Sequence, residues 1–133
     1  SINPKTLAKW LTQGCDDNGL QIKILDTRND FEVQMGSFRS SISWNLKKFS
    51  DFPKIFRERK SEISGFRVIT VCTGGIRCEK ATLYMNENGM PNAVQLEGGI
   101  LDYLDNTDGN YWNGRCFTFD NKTYLDQDNM PNF

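Results

Sequence analysis

The residues best suited to chemistry sit in one short string, Cys72-Thr73-Gly74-Gly75-Ile76-Arg77. A cysteine reacts as its thiolate, so the surroundings decide whether it is a nucleophile or an inert core residue. Two glycines just after the sulfur let the backbone turn sharply and leave room for an approaching group. In such a turn successive N–H groups point inward as an anion-binding nest, reinforced by the start of a following helix. Arg77 adds a full positive charge. An inert cysteine at a strand end needs none of these, so the string predicts a nucleophile at Cys72. Thr73, Gly74, Gly75, Ile76 and Arg77 would form its loop.

Cys78 follows at once. It could resolve an oxidised or persulfidated Cys72. The reading we prefer from sequence has it in the first turn of the next helix, turned away from the loop. Asp26, Arg28 and Glu32 could be catalytic or could form an Asp–Arg–Glu network that fixes a strand end; analogy with related domains favours the network. Cys15 and Cys116 read as ordinary half-buried thiols. Lys47, Lys48, Lys54, Arg57, Arg59 and Lys60 cluster along one predicted helix, interspersed with Glu58 and Glu62. That surface suits an RNA backbone or a solvated helix face, and both readings stay open.

These side chains need a scaffold. Residues 67–71 give the strongest strand signal, placing Cys72 directly after a strand and before a helix over 78–88. In open α/β sheets, ligands bind beyond the carboxyl ends of the strands. Further strands are predicted at 22–25, 41–45 and 93–96. Helices are predicted at 3–11, 29–35, 49–63 and 100–104. Alternating strands and helices predict an α/β fold, a mainly parallel sheet of about five strands with helices on both faces. Residues 1–105 would form this domain. Residues 106–133, rich in Asn, Asp and Gly but also aromatic, would form an extension that packs on the domain or on a missing neighbour.

Composition narrows the classes. A chain of 133 residues with net charge −1 suits one ordinary globular domain, not a dedicated nucleic-acid binder. There are no histidines, which removes His-based triads and His metal ligands. The four cysteines form no Cys-x-x-Cys pair, so no metal site is expected, and no cofactor motif is visible. No apolar run is long enough to span a bilayer, and no leader segment is visible. A cytoplasmic protein with reduced thiols is the expectation. Asn121-Lys122-Thr123 matches a glycosylation sequon that is common by chance.

Asp26-Thr27-Arg28, Glu32, Gly36, Cys72 to Arg77 and Leu96-Glu97-Gly98-Gly99 together resemble the rhodanese-domain pattern. The longer string from Cys72 to Ala81, and Trp112 to Asp120, are similar to the tRNA uridine(34) hydroxylase family of rhodanese-domain proteins. The resemblance implies Cys72 as the active cysteine and Arg77 as the residue that closes its loop. Asp26 and Arg28 would support the loop. It implies hydroxylation of the wobble uridine at C5, with molecular oxygen and tRNA as substrates of a larger protein. Here Ser37 stands where rhodaneses usually carry His, and the chain matches only a central part of such a protein. Two alternatives accompany this reading. One is a sulfurtransferase that takes sulfane sulfur from a thiosulfate or persulfide donor through a Cys72 persulfide. The other is a non-catalytic interaction module, which the presence of Cys72 disfavours. Cysteine phosphatases of this fold use Cys-x5-Arg; the tighter Cys-x4-Arg here fits a sulfur atom better than a tetrahedral phosphate.

Overall fold

The computed structural model describes residues 1–116 of the 133. Helix α1 (Pro4–Gln13) starts on Asn3, whose side chain accepts a hydrogen bond from the Thr6 amide, and Pro4 occupies the first turn. Gly14, at φ 79°, ends it in the left-handed conformation. Strand β1 (Ile22–Asp26) then leads into the short α2 (Asp30–Met35). Two brief strands follow, β2 (Gly36–Phe38) and β3 (Ile42–Ser43). Helix α3 (Phe52–Arg59) is flanked by single 3-10 turns, so the predicted helix over 49–63 is real but broken at both ends. Strand β4 (Arg67–Val71), α4 (Ile76–Glu87), β5 (Val94–Gln95), α5 (Gly99–Asn106) and β6 (Trp112–Gly114) complete the chain.

The central sheet is wholly parallel, in the order β3-β1-β4-β5. It has four strands where the sequence suggested about five. At the β5 edge the chain supplies only a one-residue rung, Ile2 bridging Leu96, too short to count as a strand. The remaining extended segments, β2 and β6, pair with each other antiparallel, outside the main sheet.

Alternation along the strands splits the core in two. Leu25 and Val68 face α3 and α4, where they meet Phe52, Phe56, Ile63, Ala81 and Met85. Ile24, Ile69 and Val71 face the other way, against Leu7 and Trp10 of α1 and Ile100 and Tyr103 of α5. Each large side chain buried this way contributes roughly 1.5–3 kcal/mol, which is what pins both helical layers to the sheet. The sheet is thereby fixed as a rigid base, and the chain turns over its carboxyl edge at Asp26, Ser43 and Val71.

Candidate active site

Cys72 is the first residue beyond β4, and it is 1% exposed. Its sulfur accepts a hydrogen bond from the Gly75 amide at 3.1 Å and one from the Cys78 amide at 3.4 Å. The nest is therefore built by two inward-facing amides, one in the loop and one in the first turn of α4. Gly75 stands at φ 97°, a left-handed turn that brings its N–H back over the sulfur. Burial alone would push the Cys72 thiol up. The hydrogen bond from the Cys78 thiol, the Arg77 charge and the two amides outweigh it, bringing the pKa down to about 7. At neutral pH a large fraction of Cys72 is thus thiolate.

Cys78 is fully buried and faces the loop, contrary to the orientation preferred from sequence. Its sulfur lies 3.3 Å from the Gly75 carbonyl oxygen, and its amide donates to the Cys72 sulfur. The neighbouring Cys72 sulfur and burial together raise the Cys78 pKa well above the ordinary range, so Cys78 stays protonated while Cys72 ionises.

The expected Asp26–Arg28–Glu32 network is present in a different connection. Arg28 binds Asp26 through Nε at 2.9 Å and Nη2 at 2.8 Å, with neither side chain exposed. It meets Glu32 only at the main-chain carbonyl, 3.3 Å from Nη1. The Glu32 carboxylate turns instead to Arg77, 45 residues away, accepting from Nη1 at 2.6 Å and Nη2 at 2.8 Å. It also accepts from the Thr73 hydroxyl at 3.1 Å. Burial opposes ionisation of Glu32, yet the Arg77 pair holds its carboxyl below the usual carboxylate range. Arg77 therefore acts on Cys72 through its field while its guanidinium is clasped to Glu32.

The floor under the loop was missed as part of the site. The amides at the start of α5, Ile100 and Leu101, donate to the carbonyls of Cys72 (2.8 Å) and Thr73 (3.1 Å). Gly99 lies so close that a Cβ there would stand 2.6 Å from Cys72 O, Thr73 O and Gly75 N. A Gly-Gly pair between a strand and a helix was the available signal for this close approach. Also missed was the return of residues 112–116 to this end of the sheet. Trp112 lies over the Arg28 guanidinium, 5.3 Å from its carbon to the ring centre. A Cβ at Gly36 would collide with the backbone of Asn113 and Arg115. Cys116 is half-buried as expected, but it sits beside Thr73 and not in a remote surface position. Ile76 opens α4, and Gly74 and Ile76 are partly exposed at the loop's mouth. Among the described residues no group of three or more Cys, Asp or Glu side chains could hold a metal ion, and no helix is long and apolar enough to cross a membrane.

A buried cysteine sulfur that accepts two amide hydrogen bonds in a short loop at the carboxyl edge of a parallel sheet is the arrangement expected of a rhodanese-type site, and comparison with known proteins agrees with the fold. The rhodanese-like domain model matches residues 7–106, and the chain belongs to that family. Among curated proteins it is similar to a tRNA uridine(34) hydroxylase of Bordetella avium, 49% identical over 126 residues. That alignment covers 95% of this chain and 52% of the relative, so the chain spans about half the length of the curated relatives it matches. Among solved structures, the rhodanese-like domain of an Anabaena protein superposes with a TM-score of 0.67 at 15% identity, over 86% of this chain and 79% of that one. A rhodanese-related protein from Thermoplasma volcanium superposes with a TM-score of 0.60 at 25% identity, over 79% and 90%.

Proposed function

We propose that the chain is the catalytic rhodanese domain of a tRNA uridine(34) 5-hydroxylase, with Cys72 as its reactive thiolate. The observation that carries this reading is the Cys72 sulfur held by the Gly75 and Cys78 amides beside Arg77, in a chain about half identical to proteins named for that reaction. In this reading Gly75 and Cys78 supply the amides around the sulfur, and the Gly74-Gly75 turn shapes the loop. Glu32 and Arg77 hold the loop shut, and Asp26 with Arg28 anchors the strand end beneath it. Molecular oxygen would be the oxidant and tRNA the substrate of the intact protein. Residues 1–105 act as the domain, with residues 106–133 an extension whose first part lies along β2; positions 117–133, including the sequon, fall outside the described residues.

The charge distribution supports an RNA partner. Residues 47–60 carry six cations and two anions, in a chain of net charge −1. Lys47 is tied to Asp30 at 2.9 Å and Arg59 to Glu62 at 2.7 Å, whereas Lys48, Lys54 and Lys60 are exposed. The segment leaves β3 at the carboxyl edge of the sheet and continues into α3, which carries Lys54, Arg57 and Arg59.

The test is nucleoside analysis of tRNA from cells lacking the full-length protein, rescued by wild type or by Cys72→Ser. The reading expects 5-hydroxyuridine derivatives to vanish in the deletion, to return with wild type and to stay absent with Cys72→Ser. An unchanged nucleoside profile contradicts it. That outcome favours the sulfurtransferase reading, to which membership of the rhodanese-like family gives independent support.

A further inference from the structure

We propose that Cys72 and Cys78 are a peroxide-responsive dithiol, in which Cys78 captures an oxidised Cys72 as an intramolecular disulfide. The inference rests on Cys72 being the reactive thiolate and adds a regulated state to that same site. Cys78 is the only other cysteine with contacts to the Cys72 sulfur among the described residues. Its amide donates to that sulfur at 3.4 Å, and its own thiol donates at 3.3 Å to the carbonyl of Gly75, the residue whose amide is the other donor to Cys72. Both side chains are shut away from solvent, so a bulky external thiol reaches an oxidised Cys72 far less easily than Cys78 does. Cys116 is engaged on the Thr73 side of the loop. Closing a disulfide requires the sulfurs to come within about 2.05 Å, with the Cα atoms under about 7 Å apart. The Gly74-Gly75 pair between the two cysteines supplies the backbone freedom for that shift.

The chemistry needs hydrogen peroxide as oxidant. The Cys72 thiolate attacks one peroxide oxygen, the O–O bond breaks and hydroxide leaves; sulfur has lost two electrons and becomes a sulfenic acid. The sulfur of Cys78, giving up its proton to the departing oxygen, then attacks Cys72 Sγ. The S–O bond breaks, the S–S bond forms and one water leaves. An external dithiol returns the two electrons and two protons and restores both thiols. The disulfide removes the nucleophile reversibly and protects it from the irreversible sulfinic acid.

The experiment treats the full-length protein with hydrogen peroxide, blocks free thiols by alkylation in denaturant and digests with trypsin, which cuts after Arg77. The expected product is peptide 68–77 linked to peptide 78–80, about 2 Da lighter than the sum of the two thiol forms and cleaved by dithiothreitol. In Cys78→Ser, and in Cys78→Ala should serine disturb the fold, the link is lost and Cys72 instead gains about 32 Da as sulfinate. A wild-type protein in which Cys72 becomes sulfinate while Cys78 remains alkylatable overturns the proposal, as does a link from Cys72 to Cys116. A Cys72 that reacts with iodoacetamide at pH 7 but never joins Cys78 overturns the dithiol alone. One that resists both reagents overturns the assignment of the thiolate and the dithiol together.

Discussion

Asp26 with Arg28 and Glu32 with Arg77 are the same pairing of carboxylate and guanidinium, at the same end of the same sheet, yet they hold different things. The first pair is local in sequence and wholly enclosed, and Arg28 spends its other donors on the carbonyls of Glu32 and Gly36. It ties β1 to the turn after it and gives Trp112 a surface to lie on. The second pair joins α2 to the first turn of α4 across 45 residues, and its arginine side chain is 14% exposed. It closes the loop over the sulfur and leaves one positive charge nearby. A fully buried ion pair whose arginine also binds two carbonyls fixes local structure; one at the rim, spanning two elements, places a positive charge beside Cys72.

Breaking each pair should separate the two tasks. The largest effect is expected from Arg28→Ala, which leaves the Asp26 carboxylate enclosed without a partner. Such a loss costs about 3–5 kcal/mol, or a fall in melting temperature of roughly 10–20 °C for a domain of this size. Thermal denaturation measures it; a change under 3 °C would mean that the enclosed pair is dispensable. Arg77→Met should cost less stability because its site is partly open to water. Its signature is at Cys72, which loses a favourable charge and gains an unbalanced Glu32 carboxylate. A rise of about one unit in the thiol's titration midpoint, and hence about a fivefold slower alkylation at pH 7, is expected. Alkylation rates unchanged from wild type would mean that the rim pair does not tune the sulfur.

What the sequence made legible follows the range of the forces involved. The strand-to-helix turn around Cys72 could be read because its determinants are contiguous: a β-branched strand, then a cysteine, two glycines and an arginine within the next six residues. The alternation of strands and helices could be read for the same reason. Cys78's orientation could not, because whether a first-turn side chain faces a loop or the core depends on how that loop closes. Nor could the partner of Glu32, since three nearby charges allow several pairings and the choice is made by packing α2 against α4. Gly99 was visible as half of a glycine pair, but its task, making room for the carbonyls of Cys72 and Thr73, exists only once two distant turns are stacked. The two-stranded pairing of β2 with β6 carries too few residues to give a period-two pattern, so it went unread.

The account stands or falls on the ionisation of Cys72, which the pH dependence of its alkylation by iodoacetamide reports directly when peptide 68–77 is followed by mass spectrometry. Thiolate is the form present above the pKa, so the rate should rise with pH, reach half its maximum near pH 7 and level off above pH 8. A rate still climbing beyond pH 9, or a Cys72 that does not react while the domain is folded, would contradict a thiolate stabilised by the Gly75 and Cys78 amides.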